Sequence, residues 1–177
     1  MGKRSEFKQR KNDFYPTPME AVRPLIPFLP KEKFTFYEPC AGDGRLVTYI
    51  ESLSPGISMG HSDIEPQSDW IAQKNALELW VPPATDYIIT NPPWSRHLLH
   101  PMIMHFSTQV PTWFLFDADW MHTKQAVPYL TKLRKVVSIG RVKWIENSKH
   151  TGKDNSCWYL FYDCAGDTKF YPNPKWR

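Results

Sequence analysis

Short apolar runs alternate with amphipathic stretches along this chain. Phe34 to Glu38 is an aromatic run halted by Pro39 and a glycine loop, and it reads as a strand. Arg45 to Leu53 places Leu46, Val47, Ile50 and Leu53 on one helical face. A Ser54-Pro55-Gly56 turn follows, then a second strand over Ile57 to Asp63. Ile71 to Leu79 fits neither period. Tyr87 to Thr90 reads as a strand, Leu98 to Phe106 as a helix, and Trp113 to Phe116 as a very apolar strand ending in Asp117-Ala118-Asp119. Lys124 to Leu133 suggests another helix. Val136 to Ile145 and Trp158 to Tyr162 read as the last strands, joined by the polar loop NSKHTGKDN. Before all of these, FYPTPMEAVRPLIPFLP is punctuated by proline, with Thr17 or Pro18 starting a short helix through Met19 to Leu25. Strands alternating with helices predict an α/β domain with a mainly parallel sheet. In such sheets ligands sit beyond the carboxyl ends of the strands.

Composition narrows this picture. A chain of 177 residues suits one compact domain, and 41% hydrophobic residues can build a sizeable core. Seventeen prolines against eight glycines imply stiff loops. No apolar run approaches the roughly 18 residues of a membrane span, and the basic N-terminus lacks the apolar centre of a signal peptide. The expectation is a soluble, cytoplasmic protein. Cys40, Cys157 and Cys164 lack paired metal-ligand spacing, so reduced thiols and no metal site are expected. The net charge of +4 is concentrated at the ends: Lys3, Arg4, Lys8, Arg10 and Lys11 at the start, Lys169, Lys175 and Arg177 at the finish. This divides the chain into a basic tail (1–13), a folded domain (14–165) and a basic C-terminal tail (166–177). Such tails are solvated termini or footprints of attraction to phosphate backbones.

Three motifs carry candidate chemistry. Glu38-Pro39-Cys40-Ala41-Gly42-Asp43-Gly44 puts glycines between a strand and a helix, where the backbone can pass close to a ligand. A dinucleotide fingerprint needs a third glycine where Val47 stands, and the two Gly-Lys pairs, Gly2-Lys3 and Gly152-Lys153, are followed by Arg4 and Asp154 rather than Ser or Thr. Nicotinamide hydride chemistry and P-loop phosphoryl transfer are thereby disfavoured. Asp63, at a strand end 19 residues beyond Gly44, can accept both hydroxyls of a ribose, with Glu65 as competitor and helix capping as the plainer role. Asn91-Pro92-Pro93-Trp94 follows the strand expected beside the first. The Asn91 side-chain oxygen and the Pro92 carbonyl both accept hydrogen bonds, which suits an –NH₂ group with two donors. Trp94 can stack on a flat ring bearing that amine.

Together these motifs resemble class I S-adenosyl-L-methionine (AdoMet)-dependent methyltransferases that act on the exocyclic amine of adenine in DNA, with a layout similar to small phage and prophage members. The resemblance covers about Phe14 to Asp163 and rests on three elements. These are the (Asp/Asn)-Pro-Pro-aromatic tetrapeptide, the AdoMet loop, and an aromatic-x-Thr-Pro pattern met by Tyr15-Pro16-Thr17-Pro18. It implies a Rossmann-like fold, a mostly parallel seven-stranded sheet with a C-terminal antiparallel hairpin and helices on both faces. It implies that Tyr15 and Thr17 hold the methionine end of AdoMet, with Glu38, Cys40, Gly42, Gly44, Asp63 and Ile64 in the cofactor loops. Asn75, beside Ala76, stands where the family usually has Asp against the cofactor's adenine. Asn91, Pro92, Pro93 and Trp94 inherit catalysis, by direct in-line transfer to a flipped base. Ser95, Trp144, Lys149 and Lys153 are the further substrate-side residues. No segment has room for a separate target-recognition domain, so relaxed specificity, a specificity-supplying partner or a homodimer is expected. The same tetrapeptide suits an RNA adenine or a protein glutamine amide, and a non-catalytic AdoMet-fold module is the alternative of another class.

Other polar residues have plainer roles. Pro39-Cys40 is similar to the nucleophile of cytosine carbon-5 methyltransferases, but it lies in the cofactor loop, where packing is the expected role. His97, His100 and His105 share a predicted helix without a further metal ligand. Asp117 and Asp119 could form an acid–base pair or cap a loop. Trp144 is a second aromatic wall or a core residue.

Overall fold

The computed structural model describes residues 15–145 and 151–176. The basic N-terminal residues, Phe14, Lys149, His150 and Arg177 lie outside them. Eight strands form one sheet: β1 (Phe34–Glu38), β2 (Gly56–Asp63), β3 (Ala72–Gln73), β4 (Tyr87–Thr90), β5 (Thr112–Asp117), β6 (Leu133–Arg141), β7 (Asn155–Phe161) and β8 (Lys169–Tyr171), in the order β3-β2-β1-β4-β5-β7-β6-β8. Strands β3 to β5 pair in parallel through β2, β1 and β4. β7 is antiparallel to both β5 and β6. The helices are α1 (Met19–Val22), α2 (Arg45–Leu53), α3 (Arg96–Ser107) and α4 (Val127–Leu130).

The alternation of side chains along the inner strands explains the layering. On β5, Trp113 and Leu115 join a cluster with α1 and α2, while Phe114 and Phe116 join another with α3. On β7, Trp158 and Leu160 face the first cluster, and Cys157, Tyr159 and Phe161 the second. Each face of the sheet thus needs a cover, and helices occupy both. Burying these rings supplies much of the driving force, at about 25 cal/mol per Å² of apolar area.

Three expectations are corrected, and one stretch left open is resolved. The sheet has eight strands, not seven, because Lys169–Tyr171, placed by sequence in a basic tail, pairs in parallel with β6 at Lys135–Val137. The helix expected over Lys124 to Leu133 is a 3-10 turn (Lys124–Ala126) and the single turn of α4, and Leu133 already belongs to β6. Pro128 lacks the amide donor that would carry a helix across that junction. The first helix stops at Val22, just before Arg23-Pro24, and a 3-10 turn (Ile26–Phe28) replaces its extension. The ambiguous stretch resolves into β3 and a 3-10 turn over Ala76–Glu78.

Candidate functional site

The loops after β1, β2 and β4 converge at the carboxyl edge of the sheet with the strap 15–18 that precedes α1. A cleft of about 650 Å³ lies between them.

The first loop is built by its glycines. Gly42 and Gly44 have φ of 55° and 83°, a left-handed region that other residues adopt at a cost. The Gly44 Cα also faces the Trp70 indole, and a Cβ there would lie 2.0 Å from the ring. Asp63 ties this loop to the next: its Oδ2 accepts from Gly42 N and its Oδ1 from Glu65 N, both at 2.8 Å. Each oxygen has a second lone pair available to a ligand.

Glu38 ends β1 on the cleft wall and is only 1% exposed. Neither of its carboxyl oxygens has a hydrogen-bond partner among the described residues. Burial lifts its pKa well above the ordinary carboxylate value, and the charges of Asp63 and Asp43 add to this. The nearby Thr90 hydroxyl and Asn91 backbone pull the other way without reaching hydrogen-bond geometry. Burial, followed by the Glu38 charge, also pushes the Cys40 thiol up. Cys40 packs against the second core cluster and holds its proton, unlike a thiolate nucleophile.

At the end of β4, Asn91 reaches back to the strap. Its Nδ2 donates to the Tyr15 carbonyl and to Thr17 Oγ1, each at 3.2 Å. On the other side, Trp94 Nε1 donates to Asn91 Oδ1 at 3.4 Å. Pro92 is buried, whereas Pro93 lines the cleft. Trp94 stands edge-on to Trp144, with ring centroids 5.6 Å apart and planes at 87°. Trp144 is half-buried and leans on the first core cluster.

Tyr15, Thr17, Glu38, Cys40, Gly42, Asp63, Ile64, Asn75, Ala76, Asn91 and Pro93 therefore line one cleft, though they come from five separated segments. Asn75 also serves locally: its side-chain oxygen accepts from Leu77 N at 3.1 Å and its amide donates to Glu78 at 2.9 Å. Gly44, Pro92, Trp94, Ser95, Trp144 and Lys153 are not on the lining. Ser95 begins α3 and accepts from the Leu98 and Leu99 amides at 2.9 Å, and Lys153 is exposed. Sequence reasoning missed Leu46, Gln67, Gln73, Leu98 and Met102 in the lining. Leu46, on the predicted apolar face of α2, and Leu98 and Met102, at i, i+4 spacing on α3, carried a signal.

The remaining polar residues are engaged structurally. Asp117 caps the 3-10 turn after β5 by accepting from Asp119 N at 3.0 Å, and partial burial raises its pKa. His100 Nε2 accepts from the Trp120 indole at 2.9 Å, and His105 Nε2 meets the Leu79 carbonyl at 2.7 Å. Among the described residues, no cluster of three His, Cys, Asp or Glu could hold a metal, and no helix is long and apolar enough to cross a membrane.

This sheet order, with β7 inserted antiparallel between β5 and β6, and this edge-on cleft give the chain the fold of class I methyltransferases, whose members use AdoMet as methyl donor. A protein assigned as an RNA methyltransferase in Pyrococcus horikoshii superposes with a TM-score of 0.63 at 16% identity, over 90% of this chain and 93% of its own. The methyltransferase subunit of a type I restriction-modification system from Streptococcus thermophilus gives 0.59 at 10% identity, over 88% of this chain. The chain spans only 46% of that subunit. A dimethyladenosine transferase from Plasmodium falciparum gives 0.52 at 14% identity, over 84% of this chain and 62% of its own. No protein-family model and no curated protein matches the sequence.

Proposed function

We propose that this chain is an AdoMet-dependent methyltransferase that modifies the exocyclic N6 amine of adenine in DNA. The observation that carries the reading is the Asn91 carboxamide at the end of β4, held at the cleft that the glycine loop and Asp63 also line. The cleft's volume lies within the roughly 300–1,000 Å³ of small-molecule sites. Its chemistry suits the cofactor: Glu38 offers two unpartnered carboxyl oxygens, whose ionised form a cationic methionine end would favour, and Asp63 retains lone pairs for ribose hydroxyls. When bound, AdoMet supplies an electrophilic methyl group.

The protein's own part is positioning. Asn91 Oδ1 and the Pro92 carbonyl accept the two amine protons, and Trp94 offers a face to the base. Flipping the base costs a few kcal/mol, which a stack worth about 1–3 kcal/mol partly offsets. With AdoMet bound, its methyl would pass from sulfur to the amine nitrogen that Asn91 and Pro92 hold, and the surplus amine proton would leave to water. In this reading residues 14–165 form the catalytic unit, extended by β8. Transfer to an RNA adenine is the second reading, supported by the protein assigned as an RNA methyltransferase and by the dimethyladenosine transferase, both of the same fold.

The test is incubation of the protein with tritiated AdoMet and unmethylated DNA, RNA or protein. Label is expected in N6-methyladenine of DNA, and Asn91→Ala should lower transfer by about a hundredfold to a thousandfold, the scale of losing one key polar contact. Label confined to RNA selects the second reading. Absence of AdoMet binding by calorimetry removes both.

A further inference from the structure

Resting on the amine-methylation reading, we infer that the strap Tyr15–Thr17 sets which way the Asn91 carboxamide faces, with Thr17 as the positioning residue. An asparagine side chain has two nearly isosteric ends, one accepting and one donating. Only one orientation serves an incoming –NH₂. With the amide turned over, its own donors would face the donors of the substrate. The backbone at β4 does not choose between the two, because both have the same shape. The strap does. The Tyr15 carbonyl can only accept, and it sits 3.2 Å from Asn91 Nδ2. Thr17 Oγ1, on a buried residue, takes the second contact at 3.2 Å. Both amide donors are thereby directed at the strap, which leaves Oδ1 as the end that meets a ligand. The contact from Trp94 Nε1 to Oδ1 has the same polarity and stands where a substrate donor would replace it.

The strap is fit for this role because it is itself fixed. The rings of Pro16 and Pro18 restrict their own φ, which is −78° at Pro18. Pro18 O accepts from Ala21 N at 2.9 Å, and the fully buried Ala21 and Val22 seat α1 in the core. The Trp158 indole then donates to Ala21 O at 2.8 Å, which anchors α1 to the middle of the sheet. The same geometry accounts for an asparagine, rather than an aspartate, at this position. A carboxylate would keep an acceptor toward the substrate but turn its second oxygen against the Tyr15 carbonyl.

Three variants test the inference. Thr17→Val keeps shape and removes the hydroxyl. It should slow single-turnover transfer by about tenfold, the scale of one hydrogen bond, and the loss should persist when AdoMet is raised to saturation. Thr17→Ser should restore the rate to within about threefold of the parent. Asn91→Asp should lose about tenfold or more despite its retained acceptor. Wild-type rates in Thr17→Val or Asn91→Asp would overturn the inference. So would a Thr17→Val defect confined to AdoMet affinity, which would make Thr17 a cofactor contact only, or a serine variant no better than valine. A measurement independent of activity separates this inference from the proposed reaction. The Asn91 side-chain amide pair, identified in ¹⁵N NMR spectra by its absence in Asn91→Asp, should shift and exchange faster with solvent in Thr17→Val. An unchanged pair would refute the strap's role even if methyl transfer is confirmed. A shifted pair would uphold it even if the methyl acceptor is not adenine.

Discussion

Glu38 and Tyr159 are both buried, both ionisable and both raised in pKa chiefly by burial, yet they occupy different halves of the sheet and keep different company. Tyr159, on antiparallel β7, donates its hydroxyl to the Asp117 carbonyl at 3.0 Å, with the Ala118 carbonyl at 3.2 Å. Its ring stacks on Phe116 with centroids 4.3 Å apart, and Trp120 closes edge-on against both. Glu38, on parallel β1, has no partner for either oxygen among the described residues. A buried polar group with partners costs little, whereas an orphaned one costs about 1–3 kcal/mol. The antiparallel half thus invests in packing. At the carboxyl edge of the parallel half, an unmet hydrogen-bonding demand persists where a ligand can meet it.

That contrast can be broken by substitution. Phe116→Ala should have the largest effect, lowering unfolding free energy by about 3–5 kcal/mol while leaving AdoMet affinity of the folded fraction unchanged. Chemical denaturation and calorimetry on the same sample check both halves of that statement. Gly44→Ala should cost about 1–3 kcal/mol from the left-handed backbone alone. The Trp70 ring must also move, so AdoMet affinity should fall together with stability.

Glu38→Gln separates the two halves most directly. Because the folded-state pKa of Glu38 is raised, its contribution to stability is fully present below the unfolded value of about 4.3 and is lost as pH rises through the folded value. The glutamine variant should therefore gain on the parent as pH increases, seen as a growing difference in melting temperature. Its AdoMet affinity should be about tenfold weaker, the scale of a hydrogen bond to a charged group. A variant that binds AdoMet like the parent would remove Glu38 from the cofactor site. Tyr159→Phe should have the smallest effect, about 1 kcal/mol of stability with no change in AdoMet binding.

The legible parts of the fold were those in which a local signal had no competitor. β1, α2 and β4 lie where the apolar runs, the glycine loop and the following polar residues place them. α4 was not legible because Lys124 to Leu133 carries a helical pattern that Pro128 interrupts, and the sheet claims Leu133. β8 was hidden because three residues among charged and proline neighbours have no periodicity to read, and only β6 gives them a partner. At the site, spacing pointed to Asp63 and Asn91 as residues, but not to their partners. Asn91 and Thr17 are 74 positions apart, and no sequence period brings an asparagine amide to a threonine hydroxyl. Nor does any pattern distinguish Gln73 or Gln67 in the lining from other exposed glutamines.

The hydrogen bond from the Trp158 indole to the Ala21 carbonyl joins residues 137 positions apart. On a ribosome, α1 emerges well before its anchor, which follows every strand of the parallel half. The strap cannot dock against the finished sheet until β7 has been synthesised and inserted between β5 and β6. Such long-range closure is slow compared with local pairing. A nascent chain can therefore hold its glycine loop and its Asn-Pro-Pro-Trp turn well before the wall that completes the cleft is fastened. The order of synthesis delays the complete cleft until β7 has left the ribosome.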